Sequence, residues 1–147
     1  VLAIWDFSTG YQLLGFLHIL AAIVAFGPIL VYPSLRGTER IAKLHLRMTL
    51  PALTLVWVLG MGMVGMGKLP GSGDVKAWEM SDTWIVLALL CWVIAMAASW
   101  FLIRPALTDQ SEAATKKFGA GIGITHVILV VTLFLMIFKP GASFGGL

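Results

Sequence analysis

Residues 7–35 read FSTGYQLLGFLHILAAIVAFGPILVYPSL, a run bounded by Asp6 and Arg36 that contains no Asp, Glu, Lys or Arg. A helix rises about 1.5 Å per residue and the hydrocarbon layer is about 30 Å thick, so roughly twenty apolar residues cross it once. This run crosses once. Working outward along the chain, 48–67, 83–103 and 118–138 are also free of formal charge. Each has room for one crossing and none for two. None shows the alternation of a barrel strand, and inside lipid every backbone amide needs an internal partner, so all four are expected to be helices. The expected fold is an all-α integral membrane four-helix up-and-down bundle. It forms a single transmembrane domain over 1–147, with helices at about 9–35, 38–67, 82–104 and 112–139.

Composition agrees with that reading. Of 147 residues 59% are hydrophobic and 12% charged, with a mean hydropathy of +0.96. A soluble domain carries about 25% charged residues. The values exclude an ordinary water-soluble enzyme, a disordered chain and a nucleic-acid-binding protein. Cys91 is the single cysteine, which removes an intrachain disulfide, a cysteine-based zinc site and c-type haem attachment. The opening VLAIWDFSTG lacks a basic n-region, so no cleavable signal peptide is expected.

Lys and Arg set the orientation. Arg36, Arg40, Lys43, Arg47, Arg104, Lys116 and Lys117 fall around the first and third connections; Lys68, Lys76 and Lys139 fall on the other side with Asp6, Asp74, Glu79 and Asp82. The expected arrangement is a bacterial-type inner membrane, basic loops cytoplasmic and both termini outside. Arg36, Arg40, Lys43 and Arg47 step by four, three and four, which puts them on one side of a helix capped by Thr38. They are read as ligands for anionic lipid headgroups, and His45, lying among them, as a solvated interfacial residue.

Several local features refine the picture. Pro51 removes the hydrogen bond to the Arg47 carbonyl, so a kink is expected there. The connection KLPGSGDVKAWEMSD reads as an irregular outer loop, with Ser81 as cap of the third helix. Trp5, Trp78 and Trp84 suit the outer interface, Trp100 and Tyr32 the inner one. Gly119 and Gly123 have the spacing of close helix approach. The GAGIG run around them follows no strand and is not a nucleotide fingerprint.

Chemistry has few candidates. His18 and His126 lie within uncharged spans, where an ionisable residue is a functional hypothesis by default. Counted from the outer side they sit about 13 Å and 19 Å deep. Tilt can absorb the difference, so the pair could ligate haem iron from opposite faces; each could equally bond a carbonyl within the bundle. Trp57 and Trp92, at mid-span, could wall a cofactor or simply pack. Met61, Met63 and Met66 offer soft thioether sulfur for copper, or flexible packing beside glycines. No GxSxG elbow or intramembrane carboxylate supports hydrolysis.

The stretches LHILAAIVAFGPILVYPSL and TERIAKLHLRMTLPALTLVWVLG, and the ending LVVTLFLMIFKPG, resemble the HemJ-type protoporphyrinogen oxidase family. Copper-resistance D-type and uncharacterised integral membrane families are related. The resemblance spans about two thirds of the chain through short apolar motifs. It implies that His18 corresponds to a first-helix histidine contacting haem or porphyrin, and that Arg40, Arg47 and Pro51 match the basic-then-proline start of the second helix. The family's third helix carries a lysine and a further histidine, and DTWIVLALLCWVIAMAASWFLIRP has neither. The resemblance therefore implies a shared bundle with a changed task. Three functions follow as expectations. They are a haem b or porphyrin protein of membrane redox or tetrapyrrole handling, a cofactor-free accessory subunit of a larger membrane complex or homo-oligomer, and a copper-handling membrane protein.

Overall fold

The computed structural model of the protein describes residues 8–143; the expectations for Trp5 and Asp6 lie outside them. Four helices are long and apolar enough to cross a membrane: α1 (Thr9–Leu35), α2 (Glu39–Met66), α3 (Thr83–Ala106) and α4 (Glu112–Phe138). No strand occurs among the described residues, apart from an isolated bridge between Lys68 and Lys76 in the α2–α3 loop. In each helix 28% of the most apolar stretch is buried. Most of its surface therefore faces outward, and that surface is greasy: Ile23, Phe101 and Val130 are 62%, 69% and 67% exposed. A water-soluble bundle would show the reverse, polar outside and apolar within; these faces suit acyl chains.

Contacts between Tyr11, Trp78 and Lys139 place the start of α1, the α2–α3 loop and the end of α4 at one end of the bundle. The helices run up and down. α1 packs most extensively on α2, and α3 on α4. We call the Trp78 end outer and the opposite end inner.

Neither α2 nor α3 is a regular helix. α2 contains a π turn at His45–Thr49, and α3 one at Ala98–Ile103. Each is followed by one residue and then a proline, Pro51 or Pro105. A proline has no N–H for the carbonyl four residues back, and its ring crowds that carbonyl. Widening the preceding turn relieves the crowding, with Leu50 N–H bonding the His45 carbonyl and Arg104 N–H bonding the Ser99 carbonyl. A π turn stands just before Pro51, where the sequence leads one to expect a kink.

The four cations do not share one helix. Gly37, at φ +85°, ends the run from α1, and Arg36 is the residue that follows Leu35. The chain turns there because the Gly37 N–H bonds the Leu107 carbonyl at 3.0 Å. Thr38 occupies the cap position of α2, but its hydroxyl donates to the Leu35 carbonyl instead of receiving a helix amide. Asp82, not Ser81, precedes α3. Its carboxylate accepts from the Glu79 amide and from the Ser143 amide and hydroxyl. In α4 the close approach falls to Gly121, where an added Cβ would lie 3.0 Å from Leu102 Cβ; Gly119 and Gly123 have nothing within 4 Å.

Candidate functional site

His18 is half-buried on α1 and meets α2 at Gly60, where an added Cβ would come within 3.1 Å of the imidazole Cε1. A side chain at position 60 would displace the ring, so glycine makes the seat. The His18 Nδ1 is buried without a hydrogen-bond partner. The Val56 carbonyl, one turn before Gly60, acts on the ring without meeting strict hydrogen-bond geometry. His126, half-buried on α4, has a buried Nε2 that is likewise unpartnered. Both intramembrane histidines thus keep a ring nitrogen uncommitted.

Trp57 and Trp92 come together. Their rings stack at 5.3 Å with 23° between planes, and Trp92 Nε1 donates to the Leu53 carbonyl at 2.8 Å. Trp92 also lines an apolar groove of about 270 Å³ with Val93, Met96, Ala97, Trp100 and Phe101. Neither histidine lines it.

The methionines separate. Met61 lines an outer groove of about 560 Å³ with Met80, Glu79, Lys76 and Trp78. Met63 packs against the outer core, and Met66 lies against Gly10 of α1. Residues two and five apart on a helix face different ways. Among the described residues no group of three His, Cys, Asp or Glu could hold a metal ion.

The basic end divides as well. Arg36 turns onto the protein: its guanidinium donates to the Ala106 carbonyl, to the Thr115 hydroxyl at 2.9 Å and to the Asp109 carbonyl at 2.7 Å, and lies 5.1 Å from the Phe118 ring centre. It ties the end of α3 to the start of α4. Arg40, Lys43 and Arg47 are exposed, with Lys43 3.7 Å from Glu39.

His45 and Tyr32, expected at the interface, are both 0% exposed. They form a polar junction between three helices. Tyr32 Oη on α1 lies 3.2 Å from His45 Nδ1 and 2.6 Å from Thr49 Oγ1 on α2, and His45 Nε2 lies 3.1 Å from the Ser99 carbonyl on α3. A carbonyl only accepts, so Nε2 carries a proton; Nδ1 in the neutral ring then accepts from Tyr32, which accepts from Thr49. The Ser99 hydroxyl is also fully buried and has no partner. A signal for this burial was available in sequence. His45 is two residues from both Lys43 and Arg47, about 200° round the helix from each, and shares the i, i+4 row of Ile41 and Thr49.

Fold and composition together define a multi-pass membrane protein: a bundle of four apolar helices with a histidine inside α1 and a buried polar junction near its inner end. Comparison with protein-family models, curated proteins and solved structures finds no match to this chain.

Proposed function

We propose that this chain holds a haem b or porphyrin through His18, in membrane redox or tetrapyrrole handling. The observation that carries the reading is the buried, unpartnered His18 Nδ1, seated on Gly60 inside an uncharged span. A buried imidazole nitrogen left without a partner is costly unless a further group engages it. His126, with its own unpartnered Nε2, is the second candidate ligand on α4. The similarity of α1 and the start of α2 to the HemJ-type family agrees with this assignment.

A haem would supply one-electron chemistry tuned by its axial ligands. The chain's own part is binding and orientation. Gly60 leaves room for the His18 ring. The Trp57–Trp92 stack offers a flat apolar wall between α2 and α3. In this reading the basic end faces the cytoplasm across a bacterial-type inner membrane. Arg40, Lys43 and Arg47 meet anionic headgroups there, while Arg36 serves the bundle.

The test is the absorption spectrum of protein purified in mild detergent from haem-replete cells. The reading expects a Soret band that is lost in His18→Ala and altered in His126→Ala. Absence of the band from the unmodified protein overturns it. In that case, stoichiometric purification with a larger cofactor-bearing enzyme would assign an accessory role. The divergence of Met61, Met63 and Met66 gives copper handling less support, and equal copper in a triple Met→Leu variant would remove it.

A further inference from the structure

The junction between the π turns has a property that a structural staple does not need. In the neutral arrangement Thr49 Oγ1–H donates to Tyr32 Oη, Tyr32 Oη–H donates to His45 Nδ1, and His45 Nε2–H donates to the Ser99 carbonyl. With a proton added to the ring, Nδ1–H donates to Tyr32 Oη, Tyr32 Oη–H turns to Thr49 Oγ1, and the bond to Ser99 stays. Both states keep all three hydrogen bonds. Proton transfer along the existing hydrogen bonds converts one arrangement into the other, and no backbone movement is needed.

We propose that His45 is a proton-binding site, served by a reversible Thr49–Tyr32–His45 relay at the inner end of the bundle. The step conserves protons. One proton drawn from water arrives at Thr49 Oγ1; the Thr49 proton passes to Tyr32 Oη and the Tyr32 proton to His45 Nδ1. Thr49 and Tyr32 each end with one proton, and the ring gains a positive charge. Release reverses each transfer.

Three observations support the site. His45, Tyr32, Thr49 and Ser99 are all 0% exposed, so the junction buries four polar side chains where apolar ones would pack without any need for partners. It is built on two π turns, which concentrate at functional positions. The Ser99 hydroxyl is a further buried polar group without a partner, beside the carbonyl that holds the ring. Depth is no obstacle, since His45 lies six residues into α2, about 9 Å from its start.

The groups facing the ring are few. α1 presents Tyr32, and α3 presents the Ser99 carbonyl and the Arg104 guanidinium, whose field reaches the ring. On α2 itself Lys43 and Arg47 are exposed on the opposite face. From α4 the neighbouring core holds the apolar Ala114, Phe118 and Ile122.

The test is independent of haem. The chain has three histidines, so a His18→Gln, His126→Gln variant leaves His45 as the sole imidazole and removes both candidate haem ligands. Ring-nitrogen NMR of this variant in lipid nanodiscs should show an Nε2–H neutral ring at high pH that becomes doubly protonated as pH is lowered across the range in which the helical fold is retained. Tyr32→Phe should change the proton affinity by about tenfold, one unit of titration midpoint. A ring that stays neutral throughout, or a titration indifferent to Tyr32→Phe, overturns the proposal. If the double variant does not fold, the same titration is read in unmodified protein, with His45→Gln identifying the signal.

Discussion

The two ends of the bundle are closed by different physics. At the outer end aromatic packing dominates. Trp78 is 2% exposed, donates to Tyr11 Oη at 3.0 Å and meets Trp84 edge to face at 5.6 Å, while the Lys139 ammonium lies 4.2 Å from its ring centre. Burial pushes the Lys139 amine below its ordinary range. At the inner end directional hydrogen bonds dominate, through the Tyr32–His45–Thr49–Ser99 junction and the Arg36 strap. The difference follows from the surroundings. The outer loop can exclude water from a tryptophan and gain the hydrophobic term, whereas helices already in lipid gain little from apolar contact and are fixed by polar pairing and close fit.

That contrast can be broken by substitution. Trp78→Ala should have the largest effect, about 3 kcal/mol of stability, because it removes a buried indole, the bond to Tyr11 and the ring beneath Lys139. Thermal unfolding in detergent reads it, and an effect no greater than that of an exposed Trp100→Ala would show that the outer clasp is decorative. Gly37→Ala comes next at about 1–2 kcal/mol, since φ +85° is strained for any side chain and a Cβ would meet the Gln110 amide. Protease sensitivity of the first and third connections, rising together, is the expected signature.

Within the inner end, His45→Ala should cost about 1 kcal/mol by removing one of the two partners of Tyr32 and one of the two donors to the Ser99 carbonyl. His45→Gln, which can donate to Ser99 and accept from Tyr32, should recover much of that in the same melting experiment. If both variants melt alike, the hydrogen bonds do not hold this end.

The smallest effect is a pH dependence at the outer end. Burial alone would raise the Asp82 carboxyl, but the bonds from Ser143 and the Glu79 amide outweigh it and hold the group below its ordinary value. A depressed carboxyl stabilises the fold above its unfolded value, and that contribution fades as pH falls through the lower, folded one. The tether of Ser143 to α3 should therefore persist at neutral pH and loosen only in strong acid. Asp82→Asn should melt lower at pH 7 and lose the acid-dependent part.

The same contrast explains what the sequence could convey. Spans depend on where charges are absent, a property of single residues, and α1 runs Thr9–Leu35 where 9–35 was expected. α3 reaches Ala106 instead of 104 because Arg104 belongs to the helix beyond its π turn. Partner choice depends on the packed backbone. Arg36 reads as a headgroup ligand in sequence, since nothing nearby announces the carbonyls of Ala106 and Asp109 that it meets. His45 reads as solvated from its charged neighbours along the chain, whereas the angle around the helix sets it on the buried row of Ile41 and Thr49. The uncommitted nitrogens of His18 and His126 needed coordinates, but their position inside uncharged spans was plain from composition.

Topology labelling tests directly the four crossings and the proposed cytoplasmic side of the basic end. In a Cys91→Ala background, Ser72→Cys in the outer loop and Gln110→Cys in the third connection are exposed to a membrane-impermeant thiol reagent on intact cells. The account predicts that position 72 reacts at once and position 110 only after permeabilisation. Reaction of both before permeabilisation, or the opposite order, would contradict it.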